Sequence, residues 1–225
     1  MRAPALVVVL LLALSPACEA APVDGPERVG FVEEFDGLDP QRWTRGDHRL
    51  GLGRVDPANV RVASGRLDLL VREGSLDGAE VATTGVLPAA GVATARLRVA
   101  DAPGSLTGFF LYAPPDLAHE IDIEIPGDPR GRVLFTLHHE GRTTHTTEHD
   151  LGFDPTADFH DYAITRGPGR VAFSVDERVL VSWADGVPGE ELPLYVNTWF
   201  PAWLGGSAPG AERATSVERV SFAPS

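Results

Sequence analysis

The sequence predicts an all-β domain, and two observations lead to this fold class. From Val29 onward the apolar residues alternate with polar ones in short runs, and a glycine or proline closes most of these runs. The chain has 24 glycines and 19 prolines, yet 43% of its residues are hydrophobic, a fraction too high for a disordered chain. Short strands joined by turns, packed as an antiparallel sandwich or barrel, account for both features.

The length and charge of the chain limit the number of domains and the kinds of partner that we expect. The 225 residues suit one domain, since all-β domains commonly reach roughly 200 to 250 residues. The formal net charge of −13 is unfavourable for binding nucleic acid or an anionic membrane surface. The single cysteine, Cys18, leaves no partner for an internal disulfide and excludes a multi-thiolate metal site.

The first residues predict export. Arg2 precedes an apolar run, Ala3 to Leu14, which is long enough for the core of a signal peptide and too short to span a bilayer. We therefore expect a signal peptide over residues 1–20, a short lead-in over 21–28 and a single domain over 29–225. Cleavage directly before Cys18 would leave a cysteine for lipidation and a tethered protein. A later cut would release the protein, and both outcomes stay open.

Paired strands are predicted along the domain. Residues 60–71 contain two alternating apolar runs around Ser64-Gly65, which predicts a hairpin with one buried face. Residues 171–183 show the same pattern around Asp176-Glu177. Alternation over residues 216–222 predicts a final strand.

Three acids alternate with three isoleucines in the segment from His119 to Gly127. On a strand this spacing places Glu120, Asp122 and Glu124, the carboxylate ladder, on one face and the isoleucines on the other face, where they join the core. Like charges at neighbouring positions of one face repel one another and cost stability. A local conflict of this kind often marks a functional site.

The chemistry that such acids suit is glycoside hydrolysis with retention of configuration. One carboxylate attacks the anomeric carbon, while a second, kept protonated by a raised pKa, protonates the leaving oxygen. An intervening acid can hydrogen-bond to either neighbour and set which one holds the proton. Two other interpretations stay open, a solvated acidic sheet face and a calcium site. The histidines at 138, 139, 145 and 149 fit no standard spacing of metal ligands.

The carboxylate ladder resembles the Glu-x-Asp-x-Glu signature of glycoside hydrolase family 16, which contains lichenases, laminarinases and plant xyloglucan transglycosylases. The similarity extends over the mature chain, through the segments Phe35-Asp36-Gly37-Leu38, Asn59-Val60, Gly65-Arg66-Leu67, Ser105 to Tyr112, Leu151-Gly152-Phe153-Asp154, Phe159-His160-Asp161-Tyr162-Ala163 and Val196-Asn197-Thr198-Trp199. It implies a β-jelly-roll sandwich of two curved antiparallel sheets with a concave substrate cleft. It also implies that Glu120 is the nucleophile, Asp122 its hydrogen-bonding helper and Glu124 the general acid/base.

The same resemblance implies further roles. Aromatic faces and buried polar groups suit sugar binding, and the residues implied to contact sugar are Glu80, Phe110, Tyr112, Asn197, Trp199 and Trp203. Apart from the resemblance, His160 alternates with apolar partners in the run Phe159-His160-Asp161-Tyr162, so we expect it to hydrogen-bond beneath the ladder without transferring a proton. No cofactor is required, but a structural calcium is implied at the backbones of Glu34 and Gly65 and the side chain of Glu218.

The chain differs from the family pattern at several positions. It lacks the extra residue that laminarinases and agarases usually carry in the ladder, which favours the lichenase-like and transglycosylase-like branches. Ala118 stands where lichenases have a tryptophan, Ala82 where an arginine is usual, and Thr136 where an asparagine is usual. We therefore expect the chemistry to be kept and some sugar-binding positions to be remodelled.

The sequence thus predicts an exported, monomeric, retaining endo-β-glucanase that cleaves a neutral β-1,3-1,4- or β-1,3-glucan outside the cell or in the cell envelope. Two alternatives stay open. A transglycosylase of the same family would use a sugar hydroxyl in place of water, and a surface lipoprotein would bind carbohydrate without turnover. Mere binding does not need three acids that repel one another, and this favours catalysis.

Overall fold

The structure, a computed structural model, describes residues 30–225. The predicted signal peptide, Cys18 and the lead-in over residues 21–28 lie outside the described residues, so these expectations stay predictions. In residues 30–225 no helix is long and apolar enough to cross a membrane. The helical elements of this part of the chain are two single 3₁₀ turns, Pro57–Asn59 and Ala202–Leu204.

Strands make up most of the described chain and follow one another closely. Within residues 30–225 they are β1 (Phe31–Glu33), β2 (Trp43–Arg45), β3 (His48–Leu50), β4 (Gly53–Val55), β5 (Val60–Val62), β6 (Leu67–Val71), β7 (Ala79–Thr83), β8 (Gly91–Arg98), β9 (Leu106–Ala113), β10 (His119–Pro126), β11 (Arg132–His139), β12 (Arg142–Asp150), β13 (His160–Gly167), β14 (Arg170–Val175), β15 (Arg178–Trp183), β16 (Leu194–Trp199) and β17 (Arg213–Pro224). Short strands closed by turns are what the composition predicted.

Two large antiparallel sheets of the described chain pack face to face. The first sheet has the strand order β15-β14-β13-β8-β17-β6-β5, with β1 also paired to β17. The second sheet has the order β12-β11-β10-β9-β16-β7-β2. Strands β3 and β4 form a separate hairpin. This sandwich confirms the predicted fold class, and its second sheet carries the carboxylate ladder on β10, between β9 and β11.

The core lies between the two sheets and follows the predicted alternation. Ile121, Ile123 and Ile125 on β10 are all 0% exposed. Phe135 of the second sheet stacks on Phe173 of the first, with ring centroids 4.9 Å apart. Each fully buried side chain of this size stabilises the fold by about 1.5–3 kcal/mol. The isoleucines therefore anchor β10 to the core, and the acids between them point to the opposite face.

The predicted hairpins form with the expected partners. β5 and β6 pair around Ser64 and Gly65, and β14 and β15 pair around Asp176 and Glu177. All four turn residues have positive φ, which suits tight two-residue turns between right-handed twisted strands. The final strand, β17, is longer than predicted at both ends, because it pairs with β8 along one edge and with β6 and β1 along the other.

Replacing valine by alanine at one buried and one exposed position tests this division between core and surface. Val217 on β17 is 0% exposed, whereas Val179 on β15 is 62% exposed. We expect Val217→Ala to lower the free energy of unfolding by about 1.5–3 kcal/mol, through lost burial and the cavity left behind. Val179→Ala should change it by less than about 0.5 kcal/mol. Urea unfolding followed by tryptophan fluorescence measures both, and equal losses would contradict this core.

Candidate active site

The carboxylate ladder lines an open cleft of ≈ 680 Å³ on the outer face of the second sheet. Glu120, Asp122 and Glu124 all contribute to its lining, as the strand alternation predicts. Strands β9, β16 and β7 add their own alternate residues, so the cleft crosses the middle of the sheet. Its volume lies within the usual range for ligand sites.

Strand register decides which side chain stands beside each acid. On β9, Tyr112 is the partner of Glu120, and Phe110 is the partner of Asp122. The partner of Glu124 is a glycine. One end of the ladder is therefore flanked by aromatic rings, whereas the residue beside Glu124 at the other end has no side chain.

Glu124 faces a polar network across the gap that Gly108 leaves. The N–H of Gly108 donates to Asn197 Oδ1 at 3.2 Å, and a Cβ on this residue would lie 2.6 Å from the same oxygen. Asn197 Nδ2 donates to Glu80 Oε2 at 3.2 Å. Glu80 Oε1 lies 3.0 Å from His48 Nε2. Glycine at position 108 thus leaves room for the Asn197 amide, and both predicted polar contacts, Glu80 and Asn197, belong to this network.

Aromatic side chains cover another part of the cleft. Phe110 stacks on Tyr195 with ring centroids 5.0 Å apart, and Tyr112 meets Tyr195 edge-on at 5.9 Å. Trp199 belongs to the same lining. Trp203 is placed differently from the prediction, because it is 58% exposed in the 3₁₀ turn after β16 and lies outside the lining of the cleft.

Burial perturbs all three acids of the ladder. Desolvation raises the pKa of Glu124 to about 7. Desolvation, together with the charges of Glu124 and Asp116, also raises the pKa of Glu120 to about 7, against the lowering effect of its hydrogen bond to Asp122. The pKa of Asp122 is raised well above its usual range by burial and by the charges of the two glutamates.

The hydrogen bond between Glu120 and Asp122 divides the protons unequally. It lowers the pKa of Glu120 and raises the pKa of Asp122. The shared proton therefore rests on Asp122, and Glu120 is the member of the pair that ionises first. The pKa values of Glu120 and Glu124 are both raised to about 7, so both groups change their protonation near neutral pH. Retaining hydrolysis needs one of the two ionised and the other protonated, and both forms are accessible there.

His138 borders the acids, although the sequence patterns did not indicate it as a site residue. It pairs with Glu120 across β10 and β11, and its Nε2 lies 3.9 Å from Glu120 Oε2 and 3.7 Å from Asp122 Oδ2. Its Nδ1 lies 3.0 Å from Thr143 Oγ1. Burial lowers the pKa of His138, so the imidazole is neutral at pH 7. It thus adds no positive charge that would hold both acids ionised.

Several residues that line the cleft were not predicted, among them His48, Asp116 and Tyr195. Tyr195 carries a signal in the sequence, because it alternates with Asn197 and Trp199 on β16. His48 begins the β3–β4 hairpin and Asp116 lies in the loop after β9, and neither belongs to a motif. Their place in the cleft depends on how these connections fold over the sheet.

The structure corrects the prediction for His160. This residue begins β13 in the first sheet, whereas the carboxylate ladder lies in the second. His160 Nδ1 lies 2.7 Å from Asp176 Oδ2, and its ring stacks on Phe153 with centroids 3.6 Å apart. It therefore does not hydrogen-bond beneath the ladder. Its contacts tie the start of β13 to the β14–β15 turn and to the segment before β13.

The predicted calcium ligands come together around β17. This strand carries Glu218 and pairs with β1, which Glu34 follows, and with β6, which Gly65 precedes. The Glu218 carboxylate accepts a hydrogen bond from Arg96 Nε at 3.0 Å. This hydrogen bond engages one carboxylate oxygen, Oε2, and the calcium site stays a prediction.

Comparison with known proteins shows the class to which this fold and site belong. The model of the glycosyl hydrolases family 16 matches residues 55–199, which include the carboxylate ladder and most of the cleft. The chain belongs to this family.

Individual relatives and solved structures agree with this class. A beta-glucanase of Acetivibrio thermocellus is 27% identical over 217 residues, which cover 89% of this chain and 64% of that protein. Xyloglucan endotransglucosylase protein 7 of Diospyros kaki is 29% identical over 115 residues, 46% of this chain and 42% of that protein. The chain thus spans less than two thirds of the length of these curated relatives.

Two solved structures align with this chain over nearly their whole length. A prokaryotic β-1,3-1,4-glucanase (lichenase) derived from a mouse hindgut metagenome aligns with a TM-score of 0.78 and 27% identity, over 87% of this chain and 99% of that chain. The β-glucanase of Bacillus licheniformis has the same fold, with a TM-score of 0.79 at 23% identity, over 87% of this chain and 98% of that chain.

His160→Ala tests the corrected placement of this histidine. The free energy of unfolding should fall by about 1–3 kcal/mol, because the variant loses the hydrogen bond to Asp176 and the stacking on Phe153. The surroundings of the ladder should not change, so the pH dependence of glycoside hydrolysis should keep its shape. Thermal unfolding and a pH–rate profile measure the two effects. A lost limb of the profile at unchanged stability would show that His160 acts on the ladder after all.

Proposed function

We propose that this protein is a retaining endo-β-glucanase that hydrolyses a neutral β-1,3-1,4- or β-1,3-glucan. The observation that carries the proposal is the carboxylate ladder in the cleft, where two glutamates with pKa values raised to about 7 share a strand face with Asp122. Similarity to a beta-glucanase over 89% of the chain, and to a lichenase structure, supports the substrate class.

The first chemical step uses both glutamates. Glu120 attacks the anomeric carbon of the sugar in the cleft, and a Glu120 oxygen bonds to that carbon as the bond to the leaving oxygen breaks. Glu124 gives its proton to the leaving oxygen, which departs as a free hydroxyl at the new chain end. The products of this step are a glycosyl ester on Glu120 and an ionised Glu124.

The second step reverses these roles. Glu124 takes a proton from a water molecule, whose oxygen bonds to the anomeric carbon and breaks the ester to Glu120. Glu120 leaves as the carboxylate and Glu124 is again protonated, so the site returns to its starting state. Two inversions at the same carbon retain the β configuration of the sugar.

Asp122 prepares Glu120 for the attack. It holds the proton of their shared hydrogen bond because its own pKa is raised further by burial, and this leaves negative charge on the nucleophile. When Glu120 becomes an ester it loses that charge, and the repulsion that disfavours ionisation of Asp122 becomes smaller. The ionisation of Asp122 thus responds to each change of charge on Glu120, and one hydrogen bond couples the two groups.

The cleft suits a neutral chain rather than an anionic one. The acids Glu80 and Asp116 line it together with the ladder, whereas Arg49 is the arginine among the lining residues. An anionic polysaccharide would be repelled by this field. Ring faces such as those of Phe110 and Trp199 can stack on pyranose rings. Because the cleft crosses several strands, a long glycan can lie across it, which supports cleavage within the chain.

Export and a monomeric state are part of the proposal. The apolar run after Arg2 supports export, and the position of cleavage relative to Cys18 decides between release and a lipid anchor. A transglycosylase is the second candidate, favoured by the match to a xyloglucan endotransglucosylase. Labelled oligosaccharide acceptors distinguish the two, because transglycosylation produces longer labelled chains and hydrolysis does not.

Reducing-sugar release from lichenan, barley β-glucan and laminarin tests the proposal. The wild type should hydrolyse at least one of them, and NMR should show the β anomer as the first product. Glu120→Gln should be slower by on the order of 10⁴-fold or more, because an amide cannot form the glycosyl ester.

The matched control for this variant is Glu73→Gln, because Glu73 is exposed and lies outside the lining of the cleft. It should keep wild-type activity. An undiminished Glu120→Gln, or no hydrolysis of any of these glucans, would overturn the proposal. Tight glycan binding in calorimetry without hydrolysis over days would point to a carbohydrate-binding protein.

The pKa of Glu124 predicts an alkaline limit to activity. Glu124 must be protonated for the first step, and its pKa is raised to about 7, so kcat/KM on a glucan should fall about tenfold per pH unit above that value. Glu124→Gln, assayed with an aryl glycoside whose leaving group needs no proton, should lose this limb. A wild-type profile that stays flat from pH 7 to 9, or a limb that persists in the variant, would contradict the role of Glu124.

A further inference from the structure

Two histidines and one glutamate form a cluster, the rim cluster, at one end of the sandwich. His119 begins β10 and His139 ends β11, and the two residues are paired partners across these strands. Glu190 reaches them from the connection between β15 and β16. Ligand-type atoms of the three side chains all lie within 4.8 Å of one another.

Strand alternation points the rim cluster away from the cleft. His119 shares a face of β10 with Ile121, and His139 shares a face of β11 with Leu137. Both of these apolar residues are 0% exposed in the core. The two histidines therefore lie where the core ends, on the side of the second sheet opposite to the carboxylate ladder.

Two polar atoms of the rim cluster are buried without a hydrogen bond. The Nδ1 atoms of His119 and His139 have no hydrogen-bond partner among residues 30–225. His119 Nδ1 lies 3.1 Å from Glu190 Oε2, but this oxygen lies off the direction of a hydrogen bond. Buried polar atoms of this kind are rare, because each has lost its hydrogen bonds to water. A ligand that both nitrogens can bind would satisfy them.

The donor set matches the chemistry of a transition-metal ion. Zinc sites use two imidazoles and one carboxylate, with metal–ligand bonds of about 2.0–2.2 Å and ligand atoms about 3.3 Å apart in a tetrahedron. The 3.1 Å between His119 Nδ1 and Glu190 Oε2 is close to this separation. A carboxylate oxygen of Glu190 also lies within 4.8 Å of a ring nitrogen of His139, so a small rotation of the half-exposed side chain would close the set around an ion.

The backbone that carries Glu190 is fixed independently of its side chain. Arg166 is buried, and its Nη2 donates to the carbonyl oxygens of Pro188 at 3.1 Å and Glu190 at 2.7 Å. This anchors the β15–β16 connection beside the two strand ends. A ligand residue held in place before the ion arrives loses less conformational freedom on binding.

We propose that His119, His139 and Glu190 bind one divalent transition-metal ion, with zinc the ion that this ligand set suits. Three protein ligands leave a position for water, and the bound ion ties the β15–β16 connection to the ends of β10 and β11. The ion is structural, and the site does not depend on the proposed glycosidase activity.

Adjacent histidines on β11 supply a matched control. His138 and His139 face opposite sides of the sheet, and His138 forms a second group of potential ligands with Glu120 and Asp122 in the cleft. Removal of His139 affects only the rim cluster, and removal of His138 affects only the group in the cleft. The two variants therefore report where an added ion binds.

Calorimetric titration of the untagged full chain with Zn²⁺ tests the proposal. The wild type should bind one ion at the rim cluster, His138→Ala should keep that binding, and His139→Ala should weaken it by more than about 100-fold, since the loss of even an outer-shell partner costs 10–100-fold. At about 100 times the dissociation constant, Zn²⁺ should raise the wild-type melting temperature by roughly 5 to 10 °C.

Glu190→Gln keeps the test decisive if a histidine variant fails to fold, because it changes one exposed side chain. It should weaken Zn²⁺ binding while leaving the melting temperature without metal unchanged. The proposal is overturned if the wild type binds no Zn²⁺ at about 100 µM, a concentration that would fill a site with a dissociation constant of about 1 µM. It is equally overturned if Glu190→Gln and His139→Ala bind as the wild type does, or if only His138→Ala loses the ion.

Discussion

Burial of one face of β10 is the constraint on which the site depends. A strand has a side-chain period of two, so packing Ile121, Ile123 and Ile125 into the core forces the three acids between them onto the opposite face together. Burial of three isoleucines contributes about 1.5–3 kcal/mol each, and this opposes the repulsion among the acids. The acids do not escape that repulsion by moving apart, since the strand holds them in place. All three pKa values are raised, chiefly because burial disfavours the charged forms, and for Glu120 and Asp122 also because of the neighbouring charges.

The division of protons among these acids follows from their separate surroundings. Glu124 stands beside Gly108 and feels chiefly desolvation. Glu120 and Asp122 also feel each other through a hydrogen bond, and the more deeply buried aspartic acid holds its proton more tightly. Three chemically similar groups thus have different neighbours, although the pKa values of Glu120 and Glu124 are both raised to about 7. In the proposed reaction Glu120 is the nucleophile, Asp122 the positioning residue and Glu124 the general acid/base.

The same alternation organises the opposite face of the sheet. On the core-facing side of β10 and β11, His119 and His139 follow the apolar residues at the edge of the core. Glu190 meets them from the connection that joins the two sheets. The ladder and the rim cluster thus lie on opposite faces of the sheet at neighbouring positions of β10, because His119 directly precedes Glu120. An ion bound at the rim cluster would restrain the end of the strand that carries the nucleophile, while contacting nothing in the cleft.

The sequence by itself determined the fold class, the main hairpins and the carboxylate ladder, because these depend on local alternation and on turn residues such as Ser64-Gly65. The contacts Glu80, Phe110, Tyr112, Asn197 and Trp199 came from a family resemblance, and the structure places all of them in the cleft. Tertiary structure alone decided that Trp203 lies outside the lining, that His160 binds Asp176 rather than supporting the ladder, and that His138 stands beside Glu120. The physical reason is that pairing register and loop placement join residues far apart in the chain, and no local pattern records which distant strand lies alongside.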